Sequence, residues 1–174
     1  MTSTVRIGVA VQVPEPHASV LVGWRRRIGD PEAGKIPPHV TLLPPTDFEA
    51  DQLELVEKHL AEAAATVPPF TMRLAGTGTF RPVSQVVFVQ VSAGIAQCEL
   101  LEEVVRRHPI ERQVDFPYHP HVTVGHDVAD RQLDEAFDGL REFDAQFQVD
   151  SFRMYTQDPN GAWRTCREFP LTGS

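Results

Sequence analysis

The sequence predicts an α+β protein in which a duplicated β-α-β-α-β unit forms two pseudo-symmetric lobes of mainly antiparallel sheet around a central cleft. Two observations lead to this prediction. The phrase Pro-His-Val-Thr occurs twice, with its histidine at His39 and at His121. Similar strand and helix patterns surround both copies in the same order, at offsets that agree within loop-length variation. With 174 residues, 41% of them hydrophobic, the chain fits one bilobal domain over residues 1–174, with repeat halves at about 5–78 and 85–170.

The first repeat opens with the apolar run VAVQV at residues 9–13, which is typical of a strand. A helix is predicted over about 16–28, where a proline suits the opening turn. The strand of His39 follows, and an apolar stripe at helical spacing predicts a second helix near 49–65. A strand that begins at Phe70 closes the unit.

The second repeat opens in the same way, with the strand VFVQV at residues 87–91. Apolar residues recur at helical spacing from 95 to 105, and the strand of His121 comes after this helix. Another helix is predicted near 130–141, and we expect Asp130 to cap its first turn.

The second repeat is expected to close with a single strand, FQVDSFRMYT, which begins at Phe147 as the closing strand of the first repeat begins at Phe70. A last strand near 163–169 follows the segment DPNGA, where Asn-Gly favours a tight hairpin turn.

The two His-x-Thr phrases are the candidate catalytic residues. Because side chains alternate along a strand, His39 and Thr41 share one face, and so do His121 and Thr123. If the lobes face each other, a neutral imidazole can take a proton from an attacking water or hydroxyl while a protonated one gives a proton to the leaving oxygen. The threonine hydroxyls can bind the non-bridging phosphate oxygens. This arrangement suits phosphodiester chemistry that needs neither a metal nor a cofactor.

On these residues the chain resembles the 2H phosphoesterase superfamily, the LigT-like 2′-5′ RNA ligase and cyclic phosphodiesterase family. The family signature, one His-x-Thr/Ser-x motif in each lobe, is matched by HVTL from His39 and by HVTV from His121. The resemblance covers essentially the whole chain and implies a LigT-like fold. It also implies hydrolysis of 2′,3′-cyclic phosphates on a nucleotide or an RNA terminus, with His39 and His121 as acid and base and with Thr41 and Thr123 as phosphate-binding residues. Which histidine is the base stays open.

One departure from the family bears on the substrate. Many members that act on RNA carry an arginine shortly before the strand that enters the second lobe, and here that stretch reads FRPVSQVVF. Gln85 stands roughly in that place, and Arg81 lies slightly earlier. Long RNA is therefore disfavoured as a substrate.

Four further residues are candidates for substrate binding because they lie in loops that are expected to overhang the cleft. Tyr118 and Phe80 offer rings on which a base can stack, Arg81 offers positive charge, and His119 lies at the cleft rim. Phe116 and Trp163 are interpreted as packing residues.

One alternative function belongs to the same family, and two come from other classes. Ligation of 2′-5′ RNA is a second activity of the same family, and a protein that binds a phosphorylated ligand without turnover could use the same groups. A metal-dependent hydrolase could use His119 and His121, with His126 as a further ligand. The first repeat has Pro37 where the second has His119, so no symmetric metal site exists and no metal is expected.

Composition limits the partners. The formal net charge is −8, whereas extended nucleic-acid binding depends on Lys and Arg that neutralise phosphates. We expect a small nucleotide or an RNA end as the partner, no extended nucleic-acid surface, no membrane contact and a monomer. The two cysteines, Cys98 and Cys166, suit reduced thiols, and the first apolar run does not fit a signal peptide, so a cytoplasmic location is expected.

Overall fold

The computed structural model describes residues 3–174, and in this range it contains eight β-strands and four α-helices. A short 3₁₀ turn, Ala50–Gln52, leads into the second helix. In chain order the elements are β1 (Thr4–Gln12), α1 (His17–Arg27), β2 (His39–Glu49), α2 (Leu53–Ala64), β3 (Phe70–Thr79), β4 (Val86–Ala93), α3 (Ile95–Val105), β5 (His121–His126), α4 (Asp130–Gly139), β6 (Asp144–Val149), β7 (Ser151–Gln157) and β8 (Trp163–Pro170).

The strands form two four-stranded sheets, in the orders β2-β1-β7-β8 and β5-β4-β3-β6, and all the paired strands are antiparallel. The predicted α+β class with two lobes of antiparallel sheet is confirmed. The sheets do not follow the chain halves. Strand β3 leaves the first repeat to pair with β4, and β7 leaves the second to pair with β1.

The prediction of a single closing strand from Phe147 is wrong. That segment forms two strands, β6 and β7, which are separated at Asp150 and belong to different sheets. The burial pattern shows why, because Val149 is buried before the break and Phe152 after it. The inward-facing residues thus change from odd to even positions at Asp150, which a single continuous strand with one buried face could not show.

Two smaller predictions also need correction. Asp130 is the first residue of α4 and not its cap, since Ala129 occupies that position without a side-chain hydrogen bond. The carboxylate of Asp130 instead accepts hydrogen bonds from Gln85 and Arg81. The second helix begins at Leu53, after the 3₁₀ turn.

The helices join the two sheets into one body. Helix α1 packs against β5 and α3 packs against β2, so each repeat covers a strand of the other repeat's sheet. Gly125 on β5 permits this contact, because a Cβ there would lie 2.8 Å from the Cδ1 of Ile28. Buried apolar residues from both sheets form one continuous core cluster. The His-x-Thr strands are therefore held in place by packing from both halves of the chain.

Candidate active site

The two His-x-Thr motifs lie on strands that face each other. β2 and β5 are each at the edge of their own sheet, and they lie side by side where the two sheets meet. In both motifs the His and Thr side chains are partly exposed, while Val40 and Val122 between them are fully buried. The alternation predicted from the sequence is therefore present in both lobes.

The two catalytic candidates are oriented by the same backbone contact. The Nδ1 of His39 lies 2.8 Å from the carbonyl oxygen of Pro37, and the Nδ1 of His121 lies 2.7 Å from that of His119. A carbonyl oxygen can only accept a hydrogen bond, so each Nδ1 must carry the proton. In the neutral ring the proton-accepting nitrogen is then Nε2, and both lobes present the same tautomer.

Each histidine has a glutamine opposite it on the neighbouring strand. Gln12 on β1 lies directly opposite His39, and Gln90 on β4 lies directly opposite His121. Directly opposed residues share one face of an antiparallel pair, so both glutamines lie on the side of the sheet that carries the histidine. Gln90 donates a hydrogen bond to the carbonyl of Thr77.

Burial makes both imidazoles hard to protonate. It lowers the pKa of His39 from 6.5 to about 4; the Pro37 carbonyl opposes this shift, and the positive charges of Arg25 and His121 add to it. Burial also lowers the pKa of His121, the His119 carbonyl opposes that shift, and the positive charge of His119 adds to it. The free protein therefore holds both rings neutral at pH 7, and the contribution of His121 to the pKa of His39 indicates that the rings are close enough to interact.

An aromatic cluster surrounds His121. The ring centroids of Phe80 and Phe88 lie 5.0 and 5.1 Å from that of His121, and the ring of His119 lies 5.7 Å away. Phe80 and His119 are thus placed beside the second histidine. Phe88 was not singled out in the sequence, although it is the one aromatic residue in the run VVFVQV. Gly78 opposite it leaves room for the ring, since a Cβ there would lie 2.6 Å from the Cζ of Phe88.

A pocket of about 100 Å³ lies beside the first motif. Its wall includes His39 and Thr41, together with Trp163 and Tyr155 from the last two strands of the same sheet. Trp163 therefore lines the pocket and is not simply a packing residue. The interpretation of Phe116 as a packing residue is wrong, since 73% of its surface is exposed. The other lining residues are Gly8, Val9, Ala10, Ile36, Leu43, Pro44 and Pro45.

Tyr118 and Arg81 are engaged by the protein itself. The hydroxyl of Tyr118 donates a 2.7 Å hydrogen bond to the carbonyl of Thr41, which ties the loop before β5 to β2. The guanidinium of Arg81 lies 3.4 and 2.9 Å from the carboxylates of Asp130 and Asp134 on α4. The charge of Arg81 is therefore balanced by two carboxylates of that helix.

Over residues 3–174, no group of three or more His, Cys, Asp or Glu side chains is arranged to hold a metal ion. The Nε2 of His126 pairs instead with Asp127 at 3.3 Å. In the same range no helix has the length and apolar character needed to cross a membrane.

Comparison with known proteins agrees with this geometry. Residues 13–161 match the model of the 2′-5′ RNA ligase superfamily. A protein of Halalkalibacterium halodurans named "Putative phosphoesterase" is 31% identical over 94% of this chain and 96% of its own length. A Bacillus mycoides protein of the same name is 29% identical over 86% of this chain and 87% of its own.

Solved structures share the fold. Escherichia coli LigT in complex with 3′-AMP superimposes with a TM-score of 0.69 at 22% identity, and the match covers 98% of this chain and 99% of LigT. The NADP⁺ complex of LigT gives a TM-score of 0.73 at 21% identity, with the same coverage. Together with the sequence matches, these similarities confirm the predicted resemblance.

Proposed function

This chain belongs to the 2′-5′ RNA ligase superfamily of 2H phosphoesterases, and on that premise we propose that it is a metal-independent phosphodiesterase that opens 2′,3′-cyclic phosphates by acid–base catalysis. The observation that carries the proposal is the matched pair of imidazoles. His39 and His121 lie on adjacent edge strands of two sheets, each with Nδ1 on a backbone carbonyl and Nε2 left to exchange a proton.

The chemistry needs one neutral and one protonated imidazole. One Nε2 removes a proton from water, the water oxygen bonds to phosphorus, and the bond from phosphorus to one ribose oxygen breaks. The second imidazole gives its proton to that oxygen. In the free protein both pKa values are lowered, but a phosphate anion between the rings favours the charged form of a nearby histidine. The substrate thus helps to protonate the acid.

The remaining candidates have supporting roles in this proposal. Thr41 and Thr123 donate their hydroxyls to the non-bridging oxygens, where charge accumulates in the transition state. Phe80 and His119, beside His121, form one side of the substrate cleft. Tyr118 acts by holding Thr41 in position, and Arg81 by holding its loop against α4.

The pocket beside His39 supports a small bound group. A cavity of about 100 Å³ is smaller than the roughly 300–1,000 Å³ of typical ligand pockets, so it suits the terminal group of a substrate and not a long strand. Crystal structures of LigT, which has the same fold, contain phosphate, 3′-AMP, ATP and NADP⁺. We therefore propose a nucleotide or a terminal cyclic phosphate as the ligand.

The test is product analysis on a panel of 2′,3′-cyclic mononucleotides, with EDTA present throughout. His39→Ala and His121→Ala should each lower kcat by about 10²–10⁴-fold, because each removes a proton-transfer group. His108→Ala, which changes an imidazole that is 79% exposed, is the matched control and should keep wild-type activity. Full activity in either motif variant would refute the mechanism.

Two rivals remain distinguishable in the same assay. A 2′-5′ RNA ligase would join RNA ends and would release little product from mononucleotides. A non-catalytic binding protein would bind the nucleotides stoichiometrically without converting them, and its binding would still weaken when Thr41 or Thr123 is replaced by Val.

A further inference from the structure

The two lobes carry the same motif but differ in the residues beside it. In the first sheet, Ala10 pairs with Thr41 on one side and with Arg153 on the other, which forms the row Thr41–Ala10–Arg153. Directly opposed residues of antiparallel strands share a face, so Arg153 lies on the same side of the sheet as the His39 motif.

In the corresponding row of the second sheet, the large and the small side chain exchange positions. There Phe88 pairs with Thr123 and with Gly78, which forms the row Thr123–Phe88–Gly78. The large side chain stands next to the motif in the second lobe and one strand further away in the first. The second lobe therefore has an aromatic floor, and the first has a small residue beside a long cation.

Within residues 3–174, Arg153 is the one buried or half-buried arginine whose side chain has no partner. Among residues 3–174, the other buried or half-buried arginines are engaged: Arg25 by Asp30, Arg81 by α4, Arg106 by Glu102 and Arg112 by Thr46. Arg153 is half-buried, and within the same range it makes no ion pair and no side-chain hydrogen bond. Glu168 lies opposite it on β8, but that carboxylate accepts a hydrogen bond from Ser151.

Two neighbouring polar groups lie on this face. The Oε1 of Gln12 is buried and has no hydrogen-bond partner in the described part of the chain, and the buried hydroxyl of Tyr155 has only the Thr165 side chain, opposite it on β8, as a neighbouring polar group. Tyr155, which is 2% exposed, lines the pocket beside His39 and lies two residues from Arg153 on the same strand. Buried polar atoms are normally satisfied, so the unsatisfied Oε1 of Gln12, on the same face as the unpaired Arg153, indicates a ligand site.

We propose that Arg153 binds a phosphate group of the substrate from the floor of the first lobe, with Gln12 and Tyr155 as neutral hydrogen-bonding groups beside it. An arginine suits this role because its planar guanidinium donates two parallel hydrogen bonds to phosphate oxygens. The proposal rests on the proposed function for the identity of the substrate. It concerns binding and assigns Arg153 no part in proton transfer.

Two phosphates of a nucleotide are candidates, the cyclic phosphate that is opened and a second phosphate at the 5′ position. Thr41 and Arg153 are two strand spacings apart, roughly 10 Å between their Cα atoms. The side chain of Arg153 can extend over Ala10 towards either group. Substrates with and without the 5′-phosphate distinguish between these two phosphates.

The experiment compares 2′,3′-cyclic AMP with its 5′-phosphorylated derivative as substrates. Arg153→Met removes the charge and keeps much of the length of the side chain. Arg153→Lys keeps the charge but lacks the planar guanidinium that donates two parallel hydrogen bonds. Arg131→Met is the matched control, since it removes an exposed arginine from α4. Arg153→Met should raise KM by about 10–100-fold with a smaller change in kcat, and Arg153→Lys should recover part of the loss.

The pattern of the loss shows which phosphate is bound. A loss confined to the 5′-phosphorylated substrate identifies the second phosphate, and an equal loss on both substrates identifies the phosphate that is opened. KM values for Arg153→Met within about twofold of wild type on both substrates would overturn the proposal.

Failure of the proposed function gives a different result from failure of this site. If wild type does not turn over cyclic nucleotides, calorimetry with adenosine 3′,5′-bisphosphate and with adenosine tests Arg153 directly. Wild type should then bind the bisphosphate at least about 10-fold more tightly than Arg153→Met does, and both proteins should bind adenosine alike. Equal affinity of the two proteins for the bisphosphate refutes the site whatever reaction the protein catalyses.

Discussion

Acid should destabilise this protein in large part through His39. Burial lowers the pKa of its imidazole to about 4, whereas the same group titrates near 6.5 in an unfolded chain. Between these pH values the unfolded state binds a proton that the folded state does not bind. The free energy of unfolding should therefore fall as the pH is lowered from about 6.5 towards 4, and His39 should add no pH dependence above or below that window. At about 1.4 kcal/mol per pKa unit, the total loss is about 3 kcal/mol.

Urea unfolding of wild type and of His39→Asn at pH 7.5 and pH 4 measures this loss. Asparagine retains an N–H donor for the Pro37 carbonyl but cannot be protonated in this range. The decrease in unfolding free energy between the two pH values should be about 3 kcal/mol smaller in the variant. His108→Asn, at an exposed ring, should behave as wild type does. An equal acid sensitivity of wild type and His39→Asn would show that His39 is not held neutral by burial.

Three other substitutions test contacts that hold the site. Tyr118→Phe removes the hydrogen bond from this loop to β2 and should cost about 1 kcal/mol of unfolding free energy in a denaturant titration. Gly78→Ala places a Cβ 2.6 Å from a carbon of the buried Phe88 ring, so it should cost about 1–3 kcal/mol and broaden or shift the NMR signals of that ring. Arg25→Met leaves the buried carboxylate of Asp30 without its cation and should cost about 3–5 kcal/mol in thermal or urea unfolding, whereas a loss below about 1 kcal/mol would contradict the buried ion pair.

The local elements of this fold can be predicted from the sequence, but the assembly of the sheets cannot. The alternation around His39 and His121 is a property of a few consecutive residues, and it predicts their faces correctly. The partner of a strand depends on residues far along the chain. The pairing of β3 with β4 and of β7 with β1 leaves no local pattern except the change in buried positions at Asp150.

The same distinction applies to the site. The paired motif marks His39 and His121 as candidates because its signature lies in consecutive residues, and their catalytic role stays a prediction. Arg81 pairs with the carboxylates of Asp130 and Asp134, which lie 49 and 53 positions later in the chain. A local sequence pattern cannot predict a pairing over this distance. Trp163 lines the pocket because β8 is the last strand of the sheet that carries His39. Only the order of the strands in the sheet shows this.

The two His-x-Thr motifs are identical, whereas the proposed acid–base mechanism requires one histidine to donate a proton and the other to accept one. The difference must come from residues outside the motif. His121 lies against the rings of Phe80 and Phe88, whereas in the first sheet the position that corresponds to Phe88 is the small residue Ala10, with Arg153 opposite it on β7. These positions lie on other strands, so each lobe can change them without altering the His-x-Thr geometry. The two identical motifs thus occupy unlike environments, which allows the two histidines to take the different roles that the proposed mechanism assigns to them.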